Sequence, residues 1–195
     1  MAVASKKPGK VRITGGEYRG KWIKTPGGKV HPMGERERIA LFNMISDRIP
    51  GNYVMDLYCG GGTLGIEALS RGANFVMFID NNWEALEVAH DNLKKLGLWG
   101  YGGLTGDPSD IGTGRTLQAD IPLVMRTATD RYGVVIADPP YDDYNEKMVK
   151  YLPRVVLDGG ILVLSHPGEP PELTGVRLVK TRQYARAHIS IYVKD

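Results

Sequence analysis

A glycine-rich stretch constrains the fold of this chain more than any other part of its sequence. Residues 54–65 read VMDLYCGGGTLG, in which Gly60, Gly62 and Gly65 have the spacing G-x-G-x-x-G. A strand-like run precedes these glycines and a helical pattern follows them. In open α/β sheets this arrangement lets a nucleoside approach the backbone closely, because glycine has no side chain in the way. The stretch therefore predicts an α/β fold with a ligand site at this strand-to-helix turn.

Strand-like and helical segments alternate along most of the chain. Predicted strands cover residues 53–58, 75–79, 115–119, 134–137 and 161–165, and predicted helices cover residues 35–49, 64–71, 83–96, 121–129 and 144–156. Alternating units of this kind favour a mostly parallel, doubly wound sheet. Residues 176–194 predict two more strands, which would add an antiparallel hairpin at the sheet edge. Residues 97–114 contain seven glycines and predict a long loop.

Composition limits the classes of protein to which this chain can belong. Its 195 residues fit one domain with a modest extension. Cys59 is the single cysteine, which excludes an internal disulfide and a cysteine zinc site and fits a reducing compartment. The four histidines lack metal-ligand spacing, so we expect no metal. No run approaches the roughly 20 apolar residues of a membrane helix, and no signal-peptide pattern is evident, so we expect a cytoplasmic protein.

Positive charge is concentrated in the N-terminal part of the sequence. Residues 1–38 contain ten Lys and Arg residues against three acidic ones, whereas the whole chain has a net charge of +3. This asymmetry favours a polyanionic partner, most simply nucleic acid, over a merely solubilising tail. We predict a flexible basic tail over residues 1–10, an RNA-binding β-hairpin over residues 11–30 with its turn at or near Gly15-Gly16, and the main domain over residues 31–195.

Three aspartates near predicted strand ends indicate the chemistry of the ligand. Asp56 lies four residues before Gly60, where a carboxylate suits the ammonium or sulfonium of S-adenosylmethionine better than the pyrophosphate of NAD. Asp80 ends the next predicted strand, about 20 residues further on, where an acid binds ribose hydroxyls. Asp120 follows the third predicted strand, at the edge that would face an adenine. Each has a structural alternative, a loop cap for Asp56 and a helix start for the other two.

The sequence ADPPY at residues 137–141 follows the predicted strand 134–137. Proline lacks an N–H, so Asp138 and Pro139 offer mainly hydrogen-bond acceptors on a stiff backbone. Such a turn fits a planar –NH2 group, because two accepted hydrogen bonds would aim the nitrogen lone pair at a methyl group. Asp138 would receive a proton late in the transfer, and Tyr141 would stack on the base that carries the amine. The alternative is a plain proline loop.

The stretches DLYCGGGTLG, FID and ADPPY are similar to those of class I S-adenosylmethionine-dependent methyltransferases that act on amino groups of nucleobases. RITGGEYRGKWI and HPMGERERIALFNMI resemble the bacterial RsmD family, which methylates the N2 amine of a guanine in 16S ribosomal RNA. This resemblance implies a Rossmann-like class I methyltransferase sheet with a small N-terminal β-hairpin extension. It also implies S-adenosyl-L-methionine as cofactor, and a monomer whose partner is ribosomal RNA or a partly assembled small ribosomal subunit.

The same resemblance implies roles for individual residues. Cofactor binding is expected of Asp56, Tyr58, Gly60, Gly62, Asp80, Asn81 and Asp120. A catalytic role is expected of Asp138, Pro139, Pro140 and Tyr141. RNA binding is expected of Arg12, Arg19, Lys21, Arg36 and Arg38. The sequence departs from the family pattern at His31-Pro32-Met33, where Arg-Pro-Thr is usual, at Arg38-Ile39, where Arg-Glu is usual, and at Ala185, where glycine is common.

Other functions are compatible with parts of this pattern. A DNA adenine-N6 methyltransferase, or another nucleobase amino-methyltransferase, can share the ADPPY turn. A protein-glutamine methyltransferase more typically has asparagine in place of Asp138. A non-catalytic assembly factor that binds ribosomal RNA would keep the fold, and a nicotinamide enzyme would keep the glycine pattern. The presence of Asp138 together with Gly60 and Gly62 favours an active methyltransferase.

Overall fold

A seven-stranded sheet with helices on both faces forms the body of the protein in a computed structural model that describes residues 7–28, 32–100, 111–184 and 187–195. The strands are β1 (Gly9–Arg12), β2 (Trp22–Thr25), β3 (Tyr53–Leu57), β4 (Phe75–Asp80), β5 (Thr113–Gln118), β6 (Tyr132–Ala137), β7 (Val156–His166), β8 (Arg177–Tyr184) and β9 (Ala187–Val193). The helices are α1 (Glu35–Met44), α2 (Thr63–Ser70), α3 (Trp83–Leu96), α4 (Ile121–Thr127) and α5 (Glu146–Val149). The predictions for residues 1–6, 101–110, His31 and Ala185 fall outside the described residues.

The strand order confirms the predicted mostly parallel sheet with an antiparallel edge. The order is β5-β4-β3-β6-β7-β9-β8, and the first five of these strands run parallel to one another. β9 is antiparallel to β7, and β8 is antiparallel to β9. The order reverses between β3 and β6, which is the switch point at which open α/β sheets bind their ligands. The carboxyl ends of β3, β4, β6 and β7 therefore meet at one edge of the sheet.

The two faces of the sheet bury separate apolar cores. Val54 and Val134 point to the face that is covered by α1, α2, α3 and the N-terminal hairpin, which we call the α1 face. Met55 and Val135 point to the opposite face, covered by α4 and the short helical turns after β6, which we call the α4 face. The alternation follows from the period of two in a strand. Within the described ranges, no helix is both long and apolar enough to cross a membrane.

The N-terminal hairpin is built into the folded core. Ile13 and Ile23 are each 1% exposed and pack on the α1 face. The Ser70 hydroxyl at the end of α2 donates to the Gly15 carbonyl at 2.6 Å. Gly16 has a φ of +74°, and a β-carbon there would lie 1.7 Å from the Ser70 carbonyl oxygen, so this contact requires glycine. The predicted hairpin is present, and residues 13–21 connect its two strands, a longer connection than a turn at Gly15-Gly16.

Two predicted helices were too long. The helix predicted over residues 35–49 ends at Met44, and its buried face carries Arg38, whereas Ile39 is 38% exposed. In place of the helix predicted over residues 144–156, the chain forms the four-residue α5 and a 3-10 turn over Leu152–Val155. Pro153 accounts for this break, because proline has no N–H to continue an α-helix and its ring clashes with the preceding turn.

Candidate active site

The turn between β3 and α2 contains the predicted glycine motif and an unusual backbone. Gly62 caps the start of α2 with a φ of +81°, and Tyr58, directly after β3, has a φ of +60°. A side chain in this left-handed region costs on the order of 1–3 kcal/mol, and such residues concentrate at functional sites. Gly65 has a different role, since a β-carbon there would lie 2.2 Å from the Phe78 ring. Gly65 therefore lets α2 pack closely on the sheet.

Asp56 lies at the carboxyl end of β3 and is 1% exposed. Its Oδ2 accepts a hydrogen bond from the Gly65 N–H at 2.8 Å, and its Oδ1 is buried with no hydrogen-bond partner among the described residues. The pKa of Asp56 is raised to about 8, chiefly by burial; the Gly65 hydrogen bond opposes the rise, and the charges of Asp138 and Asp80 contribute to it. A loop cap explains one carboxylate oxygen only. The other oxygen is suited to a cationic ligand group, which would stabilise the buried charge.

Asp80 ends β4 and connects two segments at the same edge. Its Oδ2 accepts from the Gly60 N–H at 2.8 Å, and its Oδ1 accepts from the Asn82 N–H at 2.9 Å. The N-cap of α3 is Asn82, whose side chain accepts from Ala85 N–H at 3.3 Å, so the helix-cap alternative does not apply to Asp80 itself. A carboxylate has about four acceptor sites, so Asp80 can hold this loop and still accept from ribose hydroxyls.

The two outer residues of the predicted cofactor set lie nearer the surface. Asn81 is exposed, and its carbonyl accepts from the Gln118 side chain at 3.3 Å. Asp120 is exposed and caps α4 by accepting from the Leu123 N–H at 2.8 Å. The helix-start alternative for Asp120 thus describes its observed contact, and its place near an adenine stays a prediction.

Asp138 follows β6, the strand that pairs directly with β3. The register pairs Asp56 with Ile136, and the Asp138 N–H approaches the Leu57 carbonyl at 3.4 Å, so the two predicted acidic groups are on neighbouring strand ends. The pKa of Asp138 is raised to about 6, chiefly by burial; a hydrogen bond from Ser165 opposes the rise, and the charge of Glu37 contributes to it. A carboxylate with a pKa near neutrality can accept a proton under ordinary conditions.

Ser165 is a site residue that the sequence analysis missed. It is 2% exposed near the end of β7, and its Oγ lies 2.7 Å from the Tyr141 hydroxyl, while Tyr141 is 36% exposed. The parallel register pairs Ala137 with Leu164, which places Ser165 beside Asp138 on the next strand. Ser165 is thus the shared partner of the carboxylate and the phenol. In the sequence, Ser165 is a polar residue directly after the apolar run GGILVL. Its proximity to Asp138 follows only from the register of β7 against β6.

Glu37 in the first turn of α1 is a second residue that the sequence analysis missed. Its Oε2 accepts from the Gly34 N–H at 2.7 Å. Its charge raises the pKa values of Asp138, Tyr141 and Tyr184. The first turn of α1 therefore contributes negative charge to the electrostatics of Asp138 and of these two tyrosines.

The predicted RNA-binding residues do not all lie on the surface. Arg19, Lys21 and Arg36 are exposed, and Arg12 is half exposed in an ion pair with Glu35 at 3.0 Å. Arg38 requires a correction, since it is 1% exposed and its guanidinium donates to two backbone carbonyls, those of Met33 at 2.6 Å and Arg12 at 3.0 Å. A buried guanidinium that ties α1 to the hairpin cannot reach a phosphate, so we assign Arg38 a structural role.

Solved structures share this fold over nearly its whole length. "Putative methyltransferase yhhF" from Escherichia coli superposes with a TM-score of 0.81 at 22% identity, covering 96% of this chain and 99% of that chain. A hypothetical protein from Thermus thermophilus superposes with a TM-score of 0.76 at 26% identity, covering 95% and 99%. Both comparisons show that the chain shares the α/β fold of these proteins.

Sequence relatives give the family. A family model described as "Conserved hypothetical protein 95" matches residues 11–193, and the chain belongs to this family, which is the RsmD family. "Putative rRNA methyltransferase YlbH" of Bacillus subtilis is 30% identical over 94% of this chain and 99% of its own length. "Ribosomal RNA small subunit methyltransferase D" of Escherichia coli K12 is 28% identical over 68% of this chain and 61% of its own length. As a member of this family, the chain is a methyltransferase, an enzyme that transfers a methyl group from a methyl donor.

Proposed function

We propose that this methyltransferase transfers a methyl group from S-adenosyl-L-methionine to the exocyclic N2 amine of a guanine in 16S, small-subunit, ribosomal RNA. One observation carries this proposal: a rigid acceptor turn at Asp138-Pro139 lies beside buried Asp56 on the neighbouring strand. The Asp138-Pro139 turn can accept hydrogen bonds from the target amine, and the Asp56 carboxylate can interact with a cationic group of the cofactor. The family membership and the ribosomal RNA named for the relatives support the choice of substrate.

The residues around the glycine turn fit S-adenosylmethionine. When bound, this cofactor supplies an electrophilic methyl group on a positively charged sulfur. The unpartnered Oδ1 of Asp56 is a buried acceptor that matches a cationic ligand group. Gly60 and Gly62, with φ values of +52° and +81°, form the tight turn after Tyr58 that would line the cofactor, and Asp80 retains acceptor capacity for the ribose. Asn81 and Asp120 would border the far end of the same site.

The turn after β6 would position the amine. The Asp138 carboxylate and the carbonyls of Asp138 and Pro139 can accept its two N–H groups, which leaves the nitrogen lone pair free. Pro139 is buried and Pro140 is exposed, and both restrict the backbone, so the acceptors keep their geometry. Tyr141, held through its hydroxyl by Ser165, offers its ring to the base. Asp138 then takes the proton that the methylated amine loses.

The exposed cations of the hairpin and of α1 would bind the RNA backbone. Three of these cations, Arg19, Lys21 and Arg36, are on the surface, and Arg12 forms an ion pair with Glu35. Each phosphate contact releases counterions and adds affinity without reading sequence. These residues would therefore hold the RNA, while the choice of base falls to the pocket beside Asp138.

The experiment that tests this proposal incubates the protein with tritiated S-adenosylmethionine and ribosomal RNA from cells that lack the gene, followed by nucleoside analysis. Label in N2-methylguanosine of small-subunit RNA is expected, and the Asp138→Ala variant should transfer none. Label in a different nucleoside would keep the amino-methyltransferase chemistry and overturn the proposed target. Failure to label RNA from any assembly stage, with cofactor binding demonstrated, would contradict the function as a whole.

A further inference from the structure

The edge strand β8 carries a row of positive charge that the sequence analysis did not single out. Its sequence, RLVKTRQY, contains Arg177, Lys180 and Arg182 and no acidic residue. Lysine and arginine on an edge strand also discourage edge-to-edge aggregation, which is the simplest explanation for their presence. Two further observations, on register and on distance from the active site, point to a binding role.

The register of the strand places all three cations on the α1 face. Arg177 pairs with Val193, Lys180 with Ile191 and Arg182 with Ile189. The three partners pack in the core beneath α1, and residues directly opposite each other in an antiparallel pair point to the same face.

A break in register between Leu178 and Lys180 makes this alignment possible. Without it, the strict period of two would put Lys180 and Arg182 on the opposite face from Arg177. The irregularity therefore collects the three charges on one side of the sheet.

The same register leads from β8 to the active site. Ile189 pairs with Arg182 on one side and with Ser165 on the other, so Arg182 and Ser165 occupy one row of the sheet, two strands apart. Neighbouring strands are about 4.8 Å apart, which puts the two backbones about 10 Å from each other. Tyr184 continues the strand on this face, and the charges of Arg182 and Glu37 both act on it. The basic row thus ends at the border of the region around Asp138.

The surroundings of the row determine which of its cations can bind a ligand. Arg177 forms an ion pair with Asp195 at 3.7 Å. Within the part of the chain that the structure describes, neither Lys180 nor Arg182 forms an ion pair, and Arg182 makes only a long hydrogen bond, 3.5 Å, to the carbonyl of Thr181.

A shallow groove lies beside Lys180. Arg48 and Asp47 form its other wall, and these two residues contact each other at 3.7 Å. The pair is close to neutral, so it adds little net charge beside Lys180.

We propose that Lys180 and Arg182 bind phosphates of the RNA strand next to the target nucleotide, on the opposite side of α1 from the N-terminal hairpin. The proposal rests on the proposed function, because it needs an RNA whose modified base sits at Asp138. RNA bound at both places would be held on two sides of the reacting base. Binding on two sides resists rotation of the base away from the acceptor turn.

The test compares the wild type with the double variant Lys180→Ala/Arg182→Ala for binding to small-subunit ribosomal RNA between 50 and 200 mM salt. Affinity falls as salt rises, and each lost phosphate contact makes the slope of log affinity against log salt less steep by about 0.7–0.9. The wild type should therefore lose about 7- to 12-fold more affinity over this range than the variant does. Cofactor affinity and melting temperature should not change, since the proposed contact is with the RNA alone.

The matched control is Arg126→Ala/Arg131→Ala, which also removes two exposed cations, from α4 and from the segment before β6. Its salt slope should equal that of the wild type. A Lys180/Arg182 variant with the wild-type slope would overturn the inference while wild-type methylation stands. An unchanged slope on free RNA combined with weaker binding to the assembled subunit would also overturn it, in favour of a protein contact at this edge. A wild type that neither binds nor methylates RNA would overturn the proposed function as well.

Discussion

The hydroxyl oxygens of Ser165 and Tyr141 lie 2.7 Å apart, and Ser165 also interacts with the Asp138 carboxylate. One serine at the end of β7 therefore restrains both the group that would accept the proton and the ring that would cover the base. Its position follows from the parallel register of β6 and β7. Ser165 is thus placed to orient both groups.

Truncation of this serine should affect turnover more than ligand affinity. Ser165→Ala removes hydrogen bonds worth about 0.5–1.5 kcal/mol each, so kcat should fall about 2- to 12-fold per bond that matters in the transition state. The affinity for S-adenosylhomocysteine, measured by calorimetry, should stay at the wild-type value. Ser190→Ala is the control, because Ser190 is equally buried but bonds His166 and Thr181. Equal kinetic losses in the two variants would contradict the positioning role of Ser165.

The pH dependence of the reaction should report the ionisation of Asp138. Its pKa is raised to about 6, and only the carboxylate can accept the amine hydrogens and the proton. The value of kcat/KM should therefore rise with pH through about 6 and then level off. In Ser165→Ala the midpoint should move to higher pH, because the lost hydrogen bond had lowered the Asp138 pKa. A value of kcat/KM that is constant from pH 5 to 8 would contradict the role of Asp138 as the proton acceptor.

Asp56 should make the ligand-free protein less stable as the pH rises. Its pKa is about 8 in the fold against 3.8 in the unfolded chain, so between these values the folded state holds a proton that the unfolded state lacks. The free energy of unfolding then decreases by up to roughly 1.4 kcal/mol per pH unit. In Asp56→Asn the decline of melting temperature between pH 5 and 8 should be shallower than in the wild type. Parallel curves for the two proteins would show that Asp56 is ionised throughout.

Docking of the hairpin on α2 predicts a difference between two glycines. Gly16 and Gly20 have similar positive φ values, +74° and +87°, but a β-carbon on Gly16 would collide with the Ser70 carbonyl, whereas nothing lies within 4 Å of one on Gly20. Gly20→Ala should cost about 1 kcal/mol of backbone strain. Gly16→Ala should cost at least about 1 kcal/mol more, measured by urea unfolding. Equal losses would mean that the hairpin is not docked as described.

Local signals in the sequence were sufficient where the contacts that define an element are themselves local. The helix α3 was predicted to the residue, because Asn82 caps its start and Gly97, with a φ of +73°, ends it. The glycine turn was also predictable, since its geometry depends on a few successive residues. Pro153, by contrast, is a helix-breaking signal that is visible in the sequence and lies inside the helix predicted over residues 144–156.

Features that depend on pairing between distant segments could not be predicted in the same way. Arg38 belongs to a run of charged residues, GERER, which is typical of an exposed helix start. Its burial depends in part on the backbone carbonyl of Arg12 in the hairpin, which lies more than 20 positions earlier in the chain. The role of Ser165 likewise depends on the register of β7 against β6, and the alignment of Lys180 with Arg182 depends on an irregularity in β8. Such registers are set by the folded core and not by local sequence.

The most direct measurement is mass spectrometry of nucleosides from the small-subunit ribosomal RNA of three strains. The first lacks the gene, the second regains the wild-type gene, and the third regains Asp138→Ala at the same protein level. We predict that one N2-methylguanosine is absent from the first strain, returns in the second, and stays absent in the third although the variant still binds cofactor. An N2-methylguanosine content that is the same in all three strains would contradict the proposed reaction.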